Sequence, residues 1–277
     1  MTAQEAYQFL DQSMSDIYDA REASTIARYL VEDLLQMQFW SEDVLNPEQQ
    51  VLVSKAAQRL KNHEPWQYIG GLADFYGFKF KVNPSVLIPR PETEELVYMA
   101  LDLINNAGVT SVLDIGTGSG IIPVTLGLKS KVTTIYGLDV SRDALKTAEE
   151  NAKWHKTDIP WIHQDFLDDQ IWHTLPQVDL VISNPPYITT SEADVMHPNV
   201  LQHEPHLALF VNQDAMEFYI AIAKMVMAHQ KDGCKVITEI NENFGIQVCQ
   251  VFTEAGLKHV KLFQDLQGKD RIVIGEK

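Results

Sequence analysis

The residues best suited to chemistry are Asn184-Pro185-Pro186-Tyr187, which follow directly on the apolar run Leu180-Val181-Ile182-Ser183. A planar amide or aromatic amine is a poor nucleophile, because its nitrogen lone pair is delocalised. A site that uses such a nitrogen needs acceptors to hold its two N–H bonds and a flat surface to fix its plane. The Asn184 side chain offers one carbonyl, and Pro185 offers a second on rigid backbone. Pro186 and Tyr187 extend the same surface, the Tyr187 ring being flat and apolar. As punctuation alone, Asn-Pro-Pro is an extended turn that ends a strand.

A second group lies earlier. Val112-Leu113-Asp114-Ile115-Gly116-Thr117-Gly118-Ser119-Gly120 ends a strand in three alternating glycines and then starts a helix. Glycine lets a backbone approach a ligand closely, and open sheets bind ligands at the carboxyl ends of their strands. A dinucleotide fingerprint needs its third glycine one residue later, where Ile121 stands, and no Gly-Lys-Ser/Thr follows to cradle a phosphate. The next strand ends in Gly137-Leu138-Asp139, a carboxylate about 20 residues on, where an acid commonly receives both hydroxyls of a ribose. A nucleoside cofactor without a phosphate fits this pattern better than NAD or ATP.

Asp-x-Gly-x-Gly-x-Gly with a following strand-end Asp resembles the S-adenosylmethionine site of class I methyltransferases. That resemblance implies that Asp114 and the loop Gly116, Thr117, Gly118, Ser119 and Gly120 contact the cofactor and that Asp139 holds its hydroxyls. It puts Asp165-Phe166 at the position covering the adenine and Asn184 where cofactor and substrate meet. Methylating a planar nitrogen needs no general base before attack, because the sulfonium leaves as a neutral thioether and the proton can depart later. The gain comes from positioning and charge complementarity.

The wider match is to one family. Phe75-Tyr76-Gly77, Leu87-Ile88-Pro89-Arg90-Pro91-Glu92-Thr93-Glu94, Asn184-Pro185-Pro186-Tyr187-Ile188, Glu204-Pro205 with Ala208-Leu209, and Gly268, Asp270 and Arg271 resemble the release-factor glutamine methyltransferase family (PrmC, also called HemK). Membership implies methyl transfer to the side-chain amide nitrogen (N5) of the Gln in the Gly-Gly-Gln motif of class 1 peptide chain release factors. It also implies a place for Arg90 and Glu92 near the substrate entrance. Asn241 stands where the family usually has Gly, and His203 where an aromatic is common.

Periodicity indicates the elements that position these groups. Tyr7, Leu10, Met14 and Ile17 form one helical stripe, and Ile26, Tyr29, Leu30, Leu34 and Met37 form a second. Val51, Val53, Ala56 and Leu60 form a third, after an Asn46-Pro47 start. Phe75 to Val82 is aromatic and alternating, as in a hairpin. Pro91 opens a helix whose apolar face is Leu96, Val97, Ala100, Leu101 and Ile104. From Ser111, strands and helices alternate in the rhythm of a parallel sheet covered on both faces. The expected strands are Ser111–Ile115, Thr134–Leu138, Trp161–His163, Leu180–Ser183, Lys235–Glu239, Lys258–Phe263 and Arg271–Gly275, with later helices at Asp214–His229 and Gly245–Ala255. The last two strands are joined by a loop too short for a parallel crossover, so they pair antiparallel.

The expectation is an α/β chain: a doubly wound, mostly parallel seven-stranded sheet, Rossmann-like as in class I methyltransferases, with a small N-terminal helical bundle and a β-hairpin connector. The expected domains are a substrate-docking bundle over 1–72, a connector over 73–90 and a catalytic domain over 91–277. The five tryptophans are assigned to cores or domain contacts.

Composition narrows the alternatives. A net charge of −16 repels a phosphate backbone. It disfavours the second reading of Asn-Pro-Pro-Tyr, a DNA adenine N6-methyltransferase that flips its target base. A third reading, a non-enzymatic scaffold of the same fold, is weakened by two intact loops. Two cysteines without a Cys-x-x-Cys pair exclude a disulfide framework and suit a reducing cytoplasm. Neither signal peptide nor membrane span is expected. His203-Glu204-Pro205-His206, with His197 nearby, has the wrong spacing for a zinc helix and is interrupted by proline, so no metal is expected. The expected partner is a release factor met by a monomer, with no stable nucleic-acid complex.

Overall fold

The computed structural model describes residues 1–187, 198–210 and 214–277. The chain divides into two compact units. One holds Met1–Ala73, Val82–Pro84 and residues 198–204; the other holds Asp74–Lys81 and residues 85–187, 205–210 and 214–277.

The first unit is helical: α1 (Ala3–Ser13), α2 (Ala20–Leu35), α3 (Pro47–Lys61) and α4 (Trp66–Gly70). Its helix starts are written locally. Thr2 and Glu5 close a capping box on α1, Asp19 accepts two N–H groups at the start of α2, and Asn46 and Gln49 close a second box with Pro47 at the first position of α3. Each such cap contributes about 0.5–2 kcal/mol. Leu10, Met14, Ile26, Leu30, Val53 and Leu60 are buried in its core. The stripe expected on α3 needs one correction. Val51 is 51% exposed, because the inward face runs through Val53, Ala56, Ala57 and Leu60.

The hairpin of β1 (Leu72–Phe75) and β2 (Phe78–Lys81) leads into the second unit. Its turn residues Tyr76 and Gly77 have φ of 52° and 78°, the left-handed pair that a two-residue hairpin loop demands. Then follow α5 (Pro91–Asn106), β3 (Ser111–Ile115), α6 (Ile121–Lys129), β4 (Thr134–Asp139), α7 (Arg142–His155), β5 (Trp161–His163) and β6 (Leu180–Ser183). Two short helices come next, α8 (Pro198–His203), part of the first unit, and α9 (His206–Leu209). The chain ends with α10 (Glu217–His229), β7 (Lys235–Glu239), α11 (Gly245–Glu254), β8 (Lys258–Gln264) and β9 (Asp270–Glu276).

The sheet runs β5-β4-β3-β6-β7-β9-β8, parallel except for β9, which is antiparallel to both of its neighbours. The expected doubly wound, mostly parallel seven-stranded fold is therefore present. Successive strand residues point to opposite faces, so the strands feed two cores. Leu113, Ile115, Val181 and Val236 pack with Ile222, Val226 and Phe252 from α10 and α11. Val112, Leu180, Ile182 and Ile237 pack with Leu96, Val97 and Ile122 from α5 and α6. Each fully buried aliphatic or Phe side chain contributes roughly 1.5–3 kcal/mol.

Some elements differ from expectation. α10 starts at Glu217 rather than Asp214, whose carboxylate instead accepts the Met216 N–H at 2.9 Å. Trp66–Gly70 and a 3-10 helix at Asp169–Thr174 are too short to show a period. The tryptophan assignment fails for Trp40 and Trp154, which are 60% and 45% exposed. Trp172 is a core residue and Trp66 stacks on Tyr29. Among the described residues, no helix is long and apolar enough to cross a membrane.

Candidate functional site

Strand order reverses direction between β3 and β6, and an open α/β sheet has its ligand crevice at that switch point. Asp114 pairs in register with Ile182, and Ile115 with Ser183. The Ser183 hydroxyl donates to the Ile115 carbonyl at 2.7 Å, locking the two strand ends together. The glycine loop after β3 and Asn184 after β6 therefore emerge side by side, although they are far apart in sequence.

The loop is held from three directions. The N–H groups of Gly116 and Thr117 both donate to the Leu138 carbonyl at 2.9 Å. The Gly118 N–H donates to Asp139 Oδ2, also at 2.9 Å. Asn151, fully buried on α7, donates to the Ser119 carbonyl at 2.9 Å and to the Lys81 carbonyl at 3.0 Å. This anchor has no sequence signal beyond an Asn falling on an apolar helix face. Gly116 and Gly118 have φ of 74° and 54°, and no atom lies within 4 Å of a Cβ built on either. The left-handed backbone explains the glycines, and the open space is where a ligand can lie against the loop.

Asp114 is completely buried, and no hydrogen bond of ordinary geometry reaches either carboxylate oxygen or the neighbouring Thr117 hydroxyl. Burial pushes its carboxyl up to about 7, with Thr117 opposing the rise and the Asp139 charge adding to it. Asp139 is also raised by burial, against the Ser141 and Gly118 N–H groups that favour its charged form. Two carboxyls and an unmatched hydroxyl beside an open glycine cradle fit a ligand bearing both positive charge and hydroxyls, as the expected cofactor does.

At the end of β5, Phe166 is 3% exposed and its ring packs on Trp172, 5.9 Å between centroids. The ring belongs to the core; the backbone and the exposed Asp165 carboxylate remain available at this strand end.

The Asn184 carboxamide is oriented. Its Nδ2 donates to Thr93 Oγ1 at 3.1 Å, and Thr93 Oγ1 donates to Glu239 Oε2 at 2.8 Å. Among the described residues, Asn184 Oδ1 takes no hydrogen bond. Thr93 lies within the Leu87–Glu94 motif and Glu239 ends the expected strand Lys235–Glu239, yet sequence reasoning assigned them no role. Glu239 is buried at the end of β7, and burial pushes its carboxyl up to about 7. Thr93, Arg271 and Arg90 favour the charged form, and Glu92 disfavours it. Pro185 is buried, Pro186 is partly exposed, and Tyr187 packs against the core. Burial holds the Tyr187 phenol well above its ordinary range, so it stays neutral; Glu239 and Glu92 add to the rise, against Arg271 and Arg90. Arg90 takes the N-cap position of α5 and Glu92 lies in its first turn. Both thus stand close enough to Tyr187 and Glu239 to act on their charge.

His203 Nε2 shares a hydrogen bond with the Asn62 carbonyl at 3.1 Å, and the His206 ring meets Phe210 edge-on. His197 and Ile188 lie outside the described residues. Among the described residues, no three His, Cys, Asp or Glu side chains are grouped to hold a metal.

Two family models match the chain: the PrmC N-terminal domain over residues 4–71 and the methyltransferase small domain over residues 98–209. The release factor glutamine methyltransferase of Bacteroides thetaiotaomicron is 36% identical over 274 residues, 96% of this chain and 96% of that protein. That of Flavobacterium psychrophilum is 33% identical over 272 residues, 95% and 94% of the two chains. A solved methyltransferase from Pyrococcus furiosus superposes with a TM-score of 0.51 at 15% identity, over 81% of this chain and 98% of that one; this likeness concerns the fold alone. With near-complete coverage at that identity, and with the loop and Asn-Pro-Pro-Tyr brought together at one switch point, the chain belongs to the release factor glutamine methyltransferase family.

Proposed function

We propose that the protein transfers a methyl group from S-adenosylmethionine to the N5 amide nitrogen of the Gln in the Gly-Gly-Gln motif of class 1 peptide chain release factors. The observation that carries this reading is the Asn184 carboxamide, turned with its NH2 to Thr93 and its carbonyl left as an acceptor, beside the loop that ends β3. When bound, S-adenosylmethionine supplies an electrophilic methyl on a sulfonium that leaves as a neutral thioether. Asp139 receives the ribose hydroxyls, and Asp114 with Gly116–Gly120 meets the methionine end. Asp165 and the backbone at Phe166 border the adenine. Asn184 Oδ1 and the Pro185 carbonyl accept the two N–H bonds of the substrate amide, and Pro186 and Tyr187 keep its plane fixed. Arg90 and Glu92 lie toward the substrate entrance. Such positioning replaces general-base catalysis, since the attacking amide loses its proton only after the methyl has moved.

In this reading the helical section over 1–72 docks the release factor, residues 73–90 connect, and 91–277 carry the chemistry. The enzyme acts as a cytoplasmic monomer. Incubation with labelled S-adenosylmethionine and three acceptors tests it: a release factor, its Gln→Ala form, and adenine-rich DNA. Label is expected on the first alone. Label on DNA, or equal label on the Gln→Ala protein, overturns the reading. Asn184→Ala should lower turnover on the order of 10²-fold or more with cofactor affinity nearly unchanged.

A further inference from the structure

We propose that Thr93 and Glu239 are positioning residues for methyl transfer, forming a directional relay that decides which end of the Asn184 carboxamide faces the substrate. A threonine hydroxyl has a single O–H to donate, and a carboxylate can only accept. Glu239 Oε2 lies 2.8 Å from Thr93 Oγ1, so the hydroxyl proton points to Glu239. Thr93 can then offer Asn184 only a lone pair, and Asn184 must answer with its NH2, at 3.1 Å. The carbonyl is thereby turned the other way, where it can accept an N–H from a substrate amide. A reversed Asn184 would set N–H against N–H.

The cost of the arrangement argues that it has a use. Thr93 and Glu239 are 2% and 1% exposed, and an ionised carboxylate buried this far is penalised by the loss of its hydration. An apolar pair at these positions would carry no such penalty. Arg271 on β9 and Arg90 at the start of α5 favour the ionised form, and Glu92 opposes it. The nearby Tyr187 and Tyr219 are neutral phenols, and Tyr219 donates to the Glu239 backbone carbonyl at 3.1 Å.

The relay is also reversible. A protonated Glu239 can donate to Thr93, which then turns its own proton to Asn184 and draws the amide oxygen inward. Burial brings the Glu239 carboxyl to about 7, so turnover should fall on the acid side of neutrality while cofactor binding holds.

This inference rests on the reading that Asn184 accepts the N–H of the substrate amide. The test compares wild type with Thr93→Val, Thr93→Ser and Glu239→Gln in the full-length enzyme. Measurements are kcat on a release factor across pH 5.5–9, cofactor affinity by calorimetry, and thermal melting to confirm folding. Thr93→Val should lose kcat on the order of 10–100-fold, Thr93→Ser should recover most of it, and Glu239→Gln should lose the acid limb of the pH profile. Wild-type kcat in both Thr93→Val and Glu239→Gln, or equal loss in Thr93→Ser and Thr93→Val, overturns the relay. The side-chain NH2 resonance of Asn184 in the free enzyme gives a readout that needs no turnover. It should shift with pH near 7 in wild type and stay constant in Glu239→Gln; a pH-independent wild-type resonance overturns the relay. If wild type labels DNA rather than the release factor while this resonance still titrates, the functional reading fails and the relay stands.

Discussion

The Asp139 carboxylate accepts the Gly118 N–H through Oδ2 at 2.9 Å, while its Oδ1 accepts the Ser141 N–H at 2.8 Å. One acid at the end of β4 therefore holds the loop that follows β3 and the turn into α7. Each oxygen keeps a further lone pair for a ligand hydroxyl. Asp139→Ala should weaken cofactor binding at least on the order of 10-fold, the scale of losing one or two hydrogen bonds to a charged group. Turnover at saturating cofactor should change less. Calorimetric titration with S-adenosylmethionine measures this, and an unchanged affinity would contradict the ribose assignment.

Gly137, two residues before that acid, is packed under Trp161. A Cβ built there would lie 2.6 Å from Trp161 Cε3 and 3.0 Å from Thr117 Oγ1. Both neighbours line the same strand ends, so neither can yield without disturbing the loop. Gly137→Ala is expected to cost about 1–3 kcal/mol of stability, the usual range for overpacking. It should also shift the tryptophan emission. A variant with wild-type melting temperature and fluorescence would show that Trp161 moves aside freely.

The buried carboxyl of Asp114 makes the stability of the cofactor-free enzyme depend on pH with an unusual sign. Its folded pKa, about 7, lies above the ordinary value, so between roughly pH 4 and 7 the folded state holds a proton that the unfolded chain has released. The folded state then binds more protons, and stability falls as pH rises through that window. Asp114→Asn should flatten the slope between pH 5 and 7 in urea-melting curves of the cofactor-free protein. An unaltered slope would show that Asp114 is ionised throughout. A cationic ligand favours the ionised carboxylate, so cofactor binding near pH 6 should release protons in wild type and fewer in Asp114→Asn.

At the opposite end of the sheet, Asp179 behaves in the reverse sense. Its Oδ2 accepts from the N–H and hydroxyl of both Thr110 and Ser111 at 2.8–2.9 Å, and its Oδ1 pairs with Lys231. Burial alone would raise its pKa, but Lys231 and these donors hold it well below the usual carboxylate range. This contribution is present above the unfolded pKa of about 4 and is lost as pH falls through the folded one. Because the group is partly solvated, Asp179→Ala should cost only about 1–2 kcal/mol at pH 7. The difference from wild type should shrink below about pH 4, and a pH-independent difference would refute the electrostatic origin.

The sequence alone determined those features whose cause lies within a few neighbouring residues. Alternating glycines after an apolar run, Asn-Pro-Pro-Tyr at a strand end, the Asn46-Pro47 helix start and the short link between the last two strands each follow from local backbone rules. They sufficed for the fold class, the loop and the chemistry of a planar nitrogen. Tertiary structure decided what depends on register and burial. Thr93 lies 91 positions from Asn184 and 146 from Glu239, and only the packing of α5 across the ends of the sheet joins them. Burial within the folded chain withdraws Asp114 and Glu239 from water and so raises their carboxyls, while Phe166 is taken into the core and Trp40 is left outside. No local pattern can encode these outcomes, because the solvent, the charges and the hydrogen-bond partners that set them come from distant segments of the chain.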